Sequence, residues 1–211
     1  MKVRDMTLIA VANPKGGVGK STLATNIAGY YASRGHPVAL GDIDGQQSAR
    51  WWLSQRPQAA RPIELWEASP DWLGRPPRAV HNAVLDTPAG LQGWRLKDVL
   101  RKADRIMVPL QASVFDIFAT RQFLDELHEL HVDNPRRIGI VGMRVDERTL
   151  AADQLREFVA TLGLPVLGFL RNTQNYVHLA AHGLTLFDLA PSRVPRDLEQ
   201  WQPLCKWLDH A

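Results

Sequence analysis

The sequence predicts an α/β fold, a mainly parallel twisted sheet with helices on both faces. Three observations carry that expectation. Short apolar runs alternate with segments of helical period along most of the chain. A glycine-rich loop joins the first run to the first helix. Aspartates close two of the later runs, Asp42 and Asp44 after one and Asp86 after another.

Thr7 to Ala12 reads as a buried strand, and Ser21 to Arg34 as a helix. In that helix Leu23, Ile27 and Tyr30/Tyr31 recur at helical spacing, and Gly35 supplies its end. Val38 to Leu40 is a second strand, and Ser48 to Gln55 a helix carrying Trp51, Trp52 and Leu53. Residues 57–79 are rich in Pro and Trp around a short strand at Ile63 to Trp66. Strands then follow at Ala83 to Leu85, Arg105 to Pro109, Ile138 to Val145 and Val166 to Phe169. Between them lie helices at Leu96 to Lys102, Phe115 to His131 and Thr149 to Leu162. Two more helices are expected near Val177 to His182 and Pro195 to Asp209. The 211 residues show no internal repeat, low-complexity tract or long linker, which predicts one domain, 1–211.

Composition narrows the classes. With 45% apolar and 22% charged residues the chain can bury a sizeable core. One cysteine, Cys205, excludes an internal disulfide and fits a reducing compartment. Met1 to Asp5 is polar and no secretory signal is expected. No segment approaches the roughly 20 apolar residues of a membrane helix. The net charge of +3 permits nucleic-acid contact without demanding it. The seven histidines, His178 and His182 among them, show no metal-ligand spacing.

Chemistry concentrates in Asn13-Pro14-Lys15-Gly16-Gly17-Val18-Gly19-Lys20-Ser21-Thr22. Strand, glycine-rich loop and helix start are the layout of a phosphate-cradling loop. Gly16, Gly17 and Gly19 free the backbone to turn tightly, so that N–H groups there, with that of Val18, can face phosphate oxygens at a helix N-terminus. Lys20 reaches phosphate, the Ser21 hydroxyl ligates Mg²⁺, and Thr22 contacts the α-phosphate in this reading. Pro14 stands where the standard pattern has glycine, and Lys15 adds a second cation at the loop's mouth. Asp86 at a strand end can hold a water on Mg²⁺. Asp42 and Asp44 can lie on one side of their strand end, where one of them positions or polarises an attacking water.

These residues resemble those of a known family. Lys15 to Ser21 is similar to the deviant Walker A motif of the ParA/MinD ATPases. Asp42-Ile43-Asp44-Gly45-Gln46 resembles their DxDxQ segment, and Leu85 to Gly90 their Walker B segment. Ala103 to Asp116 is similar to the stretch that follows it, and Arg171 to Asp188 loosely matches the C-terminal signature. The resemblance spans nearly the whole chain and implies a single-domain P-loop NTPase. It implies ATP and Mg²⁺ as cofactors, hydrolysis to ADP and phosphate, and a homodimer in the ATP state. Lys15 then crosses to the partner's phosphates, Lys20 binds phosphate in its own chain, and Asp44 serves hydrolysis. Ser21, Asp44 and Asp86 serve the metal.

The short length most resembles the small plasmid-type partition ATPases. This implies a slow, partner-stimulated cycle and non-specific binding of double-stranded DNA. It further implies a stimulating adaptor or centromere-binding protein and a cytoplasmic, nucleoid-associated location in a bacterium. Candidate DNA contacts are Arg171, Arg193 and Arg196, with Arg171 and Arg193 favoured by the resemblance. Two positions depart from the family pattern, Gly45 where proline is usual and Arg144 where many relatives carry an adenine-reading asparagine. Asn172 or backbone groups near 170–173 are the substitutes. The MinD branch uses a C-terminal amphipathic helix to bind membranes. The helix from Pro195 has Leu198, Trp201, Leu204, Cys205 and Leu208 on one face but carries Asp197, Glu199 and Asp209, so core packing is expected. A membrane-surface regulator is therefore one alternative. A metabolic or reductase enzyme on the same fold is the other, although cluster-sharing reductases need two cysteines per subunit.

Overall fold

The computed structural model describes residues 6–69, 71–132 and 134–210. The polar opening at Met1 to Asp5 lies outside the described residues. Seven strands form one sheet: β1 (Thr7–Val11), β2 (Val38–Asp42), β3 (Glu64–Trp66), β4 (Asn82–Asp86), β5 (Arg105–Gln111), β6 (Ile138–Val145) and β7 (Val166–Arg171). Their order is β3-β2-β4-β1-β5-β6-β7, and every pairing is parallel. β2 and β4 are buried along their whole length, as strands covered on both faces must be.

Among the described residues seven α-helices supply the cover: α1 (Lys20–Ser33), α2 (Ser48–Ser54), α3 (Gly93–Lys102), α4 (Val114–Glu129), α5 (Leu150–Ala160), α6 (Gln174–Ala180) and α7 (Pro195–Asp209). Leu96 and Leu100 of α3, Phe123 and Leu127 of α4 and Leu155 of α5 pack on Ala10 and Leu85. On the other face Leu23 and Ile27 of α1, Trp52 of α2 and Trp201 and Leu204 of α7 pack on Ile9 and Val11. Trp201, Leu204 and Leu208 are buried, so the apolar face of α7 is core, as expected. Trp52 and Trp66 are buried too, while Trp51, Trp72 and Trp94 are exposed.

The first helix is fixed at both ends of its length. Gly35 takes φ 75°, and the amides of Gly35 and His36 donate back to Ala32 and Tyr31, closing α1 as the sequence predicts. At Gly29 an added Cβ would lie 2.3 Å from the Thr185 hydroxyl, so only glycine admits this approach. The Leu186 amide donates to Asn26 Oδ1, and Asn26 Nδ2 donates to the Thr22 carbonyl. Asp188 accepts from the Thr185 amide and hydroxyl and forms a buried ion pair with Arg56 at 2.7 Å.

Differences from expectation lie at element ends. β2 extends two residues beyond the apolar run because Asp42 pairs in register with Asp86. α6 starts three residues earlier than the apolar spacing predicts, because the Thr173 side chain accepts from the Asn175 amide and caps it. Two 3₁₀ turns, Leu186–Asp188 and Pro191–Arg193, had no sequence signal of helical length.

Candidate nucleotide site

The loop that follows β1 lies where ligands bind in open parallel sheets, at the carboxyl ends of the strands. Parallel register sets Val11 beside Asp86 and Asp86 beside Asp42. The loop therefore starts next to the strand that ends in Asp86. Gly17 and Gly19 take φ 78° and 98°, conformations that favour glycine, and Gly19 is the N-cap of α1.

Hydrogen bonds to neighbouring segments pin this loop and the end of β1 before it. Asn13 is buried; its amide nitrogen donates to the Pro109 carbonyl at 2.8 Å and to the Thr120 hydroxyl at 3.1 Å. Its Oδ1 accepts from the Lys15 amide at 2.9 Å. The Gly90 amide donates to the Pro14 carbonyl, and Gln111 Nε2 donates to the Gly17 carbonyl at 2.8 Å. The Thr87 hydroxyl donates to the Val11 carbonyl at 2.9 Å. Asn13, Gln111 and Thr120 were not singled out by the sequence pattern. A polar residue closing the β1 run was the available signal for Asn13.

The N-terminus of α1 has no side-chain cap and no acidic residue in its first turn. Its free N–H groups and the positive end of its dipole suit an anion. Lys20 is buried and donates to the Lys15 carbonyl at 2.7 Å. Burial holds its ammonium below the ordinary range, opposed by the charges of Asp86 and Asp44. Lys15 is half-exposed and forms no ion pair among the described residues. Ser21 and Thr22 are half-buried at the start of the helix.

Asp86 is 1% exposed, and neither carboxylate oxygen has a hydrogen-bond partner among the described residues. Burial pushes its carboxyl up to about 7. The Ser21 hydroxyl stands close enough to oppose that rise without forming a well-shaped hydrogen bond, and Lys20 opposes it as well. A buried carboxylate left bare beside a hydroxyl and an ammonium fits a hard cation's outer sphere. Among the described residues no group of three His, Cys, Asp or Glu side chains is placed to hold a metal alone. Mg²⁺ needs no such cage, since phosphates and waters supply most of its ligands.

The two other aspartates divide. Asp42 is buried and accepts from the amides of Asp44, Ala49 and Arg50 at 2.9, 2.8 and 3.1 Å. It is thus the cap that fixes the start of α2, and its carboxyl is raised by burial despite those bonds. Asp44 is only half-buried, and its Oδ1 accepts from the Gln46 amide. Asp44 therefore remains available to a ligand in a way that Asp42 is not.

A cavity of about 410 Å³ adjoins Gly19 and Thr22 and continues between the ends of β6 and β7. Met143, Arg144, Asn172 and Tyr176 line it. Arg144 stands in an irregular register between β6 and β7, at φ 53°. Asn172 is exposed and lines the cavity. Arg171 is not free: its Nε donates to Asp197 at 2.5 Å, and Asn175 donates to the same buried carboxylate at 2.6 Å. Arg193 and Arg196 are exposed.

A parallel sheet, a glycine-rich loop pinned under a helix N-terminus and a bare aspartate on the adjoining strand define a nucleotide-binding protein of the phosphate-loop class. The chain belongs to the CobQ/CobB/MinD/ParA nucleotide binding domain family, whose model matches residues 9–186. It is 30% identical to a maintenance of carboxysome distribution protein A of Gloeobacter kilaueensis, over 85% of this chain and 83% of that one. It is 33% identical to the chromosome-partitioning ATPase Soj of Thermus thermophilus, over 70% of this chain and 73% of that one. Its fold matches a putative plasmid partition protein of Borrelia burgdorferi B31 bound to AMPPNP, with a TM-score of 0.74 and 19% identity over 95% and 99% of the two chains.

Proposed function

We propose that the chain, acting as one domain over 1–211, is a Mg-ATP-dependent dimerising ATPase that partitions DNA or positions cargo. The observation that carries this reading is the division of labour between two lysines. Lys20 is buried and turned into its own loop, while Lys15 is half-exposed at the mouth with no ion pair among the described residues. The first serves the chain's own nucleotide and the second is free to serve another chain's.

The α1 N-terminus and Lys20 bind the phosphates, with Lys20 exchanging the Lys15 carbonyl for phosphate oxygen. Mg²⁺, when bound, neutralises the charge that develops during phosphoryl transfer. The Ser21 hydroxyl and Asp86 would hold it. Asp44 orients the attacking water. Asn172 meets the base, beside Arg144. In the dimer, DNA is held through phosphate contacts from Arg193 and from Arg171, whose side chain is part-exposed beyond its pair with Asp197. An adaptor or centromere-binding protein stimulates hydrolysis and releases the dimer.

The relatives named for partition and for carboxysome distribution support both cargo classes. Among the described residues no helix is long and apolar enough to cross a membrane. The buried apolar face of α7 counts against the membrane-surface alternative. The test is retention on double-stranded DNA at varied salt. ATP-dependent binding that falls steeply with log salt is expected, because phosphate contacts release counterions. Binding that is indifferent to nucleotide would overturn the DNA step. Lys15→Ala should bind ADP normally yet stay monomeric with an ATP analogue, read by light scattering. Asp44→Ala should stay dimeric after ATP is added, because hydrolysis no longer releases it.

A further inference from the structure

We propose that the first turn of α4 is the apolar part of the contact between two copies of this chain. The inference rests on the dimer read above and names a surface for it. Val114, Phe115 and Phe118 are 67%, 78% and 62% exposed. Spacings of three and four residues put all of them on one face of the helix. The two phenylalanines alone leave on the order of 250 Å² of apolar surface in water, since an aromatic side chain presents roughly 150–250 Å². That approaches the largest patch a typical monomer carries.

Position selects the occupant. Gln111, at the end of β5, donates to the Gly17 carbonyl of the phosphate loop. Val114 follows three residues later, so its backbone lies within about 10 Å of Gln111. A second chain whose Lys15 enters this loop necessarily covers the ground immediately around it.

Charge points the same way. A two-fold contact sets a patch against its own copy, so a patch near the axis cannot carry one sign of unpaired charge. Val114, Phe115 and Phe118 are uncharged, Gln111 and Gln122 flank them, and the one carboxylate of the turn, Asp116, is half-buried and lies about 160° around the helix from Phe118. The nearby Arg121 is turned away, onto the ring of Phe158 and the Thr161 hydroxyl. Area agrees as well. A stable dimer buries about 800 Å² on each chain, of which this patch supplies roughly a third and the loop surroundings the rest.

The test compares wild type with Phe115→Asp/Phe118→Asp, using Mg-AMPPNP and light scattering. Trp72→Ser is the control. Trp72 is an exposed aromatic whose neighbour Leu73 lies with Leu8, near the start of β1 rather than its loop end. Wild type and the control should dimerise. The double variant should stay monomeric, with its dimer dissociation constant raised at least 100-fold and its ADP affinity within twofold of wild type. A double variant that dimerises like wild type overturns the inference and leaves the ATP dimer intact. A wild type that never dimerises with AMPPNP overturns the dimer reading itself. A second measurement keeps the charge out of the experiment. Phe115→Cys in a Cys205→Ser background should cross-link to its copy through a short bis-maleimide only with AMPPNP. Absence of that cross-link in a chain that dimerises counts against the surface.

Discussion

The phosphate end of the cleft and the end proposed for the base are built by different means. At the phosphate end almost everything is backbone: two glycines at positive φ, an uncapped helix N-terminus and parallel register that sets Asp86 beside the loop. At the base end the parts are side chains. Arg144 stands in an irregular register, Asn172 is exposed, and Arg171 is held by Asp197 from α7. Backbone sites are specified by residues that permit or forbid a conformation, so they leave a signature in a few consecutive letters. Side-chain sites assemble from segments far apart in sequence and leave none. The comparison also implies that the phosphate end carries most of the binding energy.

Lys20→Ala is the strongest challenge to that implication. Charge-assisted bonds to phosphate are lost, and the dissociation constant for ADP should rise at least about 100-fold by calorimetry. A change below about fivefold would show the base end to be dominant.

Asp86→Asn should abolish hydrolysis and at the same time stabilise the nucleotide-free protein. The carboxyl is raised by burial to about 7 in the folded chain from 3.8. The folded state thus binds its proton more tightly than the unfolded state. Below about pH 4 the group costs nothing; stability is lost as pH rises toward 7 and the penalty is complete above that. Removing the charge should return up to about 4 kcal/mol, a rise of roughly 8–16 °C in Tm at pH 8 for a chain of this size. A Tm that does not rise, or wild-type stability flat between pH 4 and 7, would contradict the bare carboxylate.

Asn13→Ala removes three hydrogen bonds at the foot of the loop, to Pro109, Thr120 and Lys15. A loss of about 1–3 kcal/mol in denaturant unfolding is expected, with ADP affinity falling alongside. The smallest effect belongs to the base end. Asp197→Ala frees Arg171 and Asn175 and should weaken ATP by tenfold or less while leaving inorganic triphosphate unchanged. Equal weakening of both ligands would mean that Asp197 supports the whole cleft and not its base end alone.

Legibility in the sequence follows the same division. Strands and helices were readable because β2 and β4 are built around short apolar runs and α1 keeps helical spacing. The placement of Lys20 at a helix start and of Asp86 at a strand end was readable from the glycine-rich loop and the apolar run. The role of Asp42 was not, because a carboxylate accepting three amides of the next turn looks the same in sequence as one facing a metal. The contacts of Asn13, Gln111 and Asp197 were not readable because each reaches a segment far along the chain. For Arg171, a basic residue at a strand end does not show that a buried aspartate 26 residues later already holds it.

The contact of Gly29 with Thr185 has a consequence for motion. Hydrogen bonds from Asn26 to Thr22 and Leu186, the adjacent Thr185 bonded to Asp188, and the buried ion pair of Asp188 with Arg56 link the phosphate helix to the segment just after α2. With no room for even a methyl group at Gly29, α1 cannot slide without dismantling those links. The α1 side of the sheet is therefore the stator of the molecule. Motion on nucleotide exchange is expected on the opposite face, where Gln111, at the end of β5 and three residues before α4, donates to the Gly17 carbonyl of the phosphate loop. In hydrogen exchange, amides of α1 should remain the slowest in every nucleotide state, and those at the start of α4 should report which state the site is in.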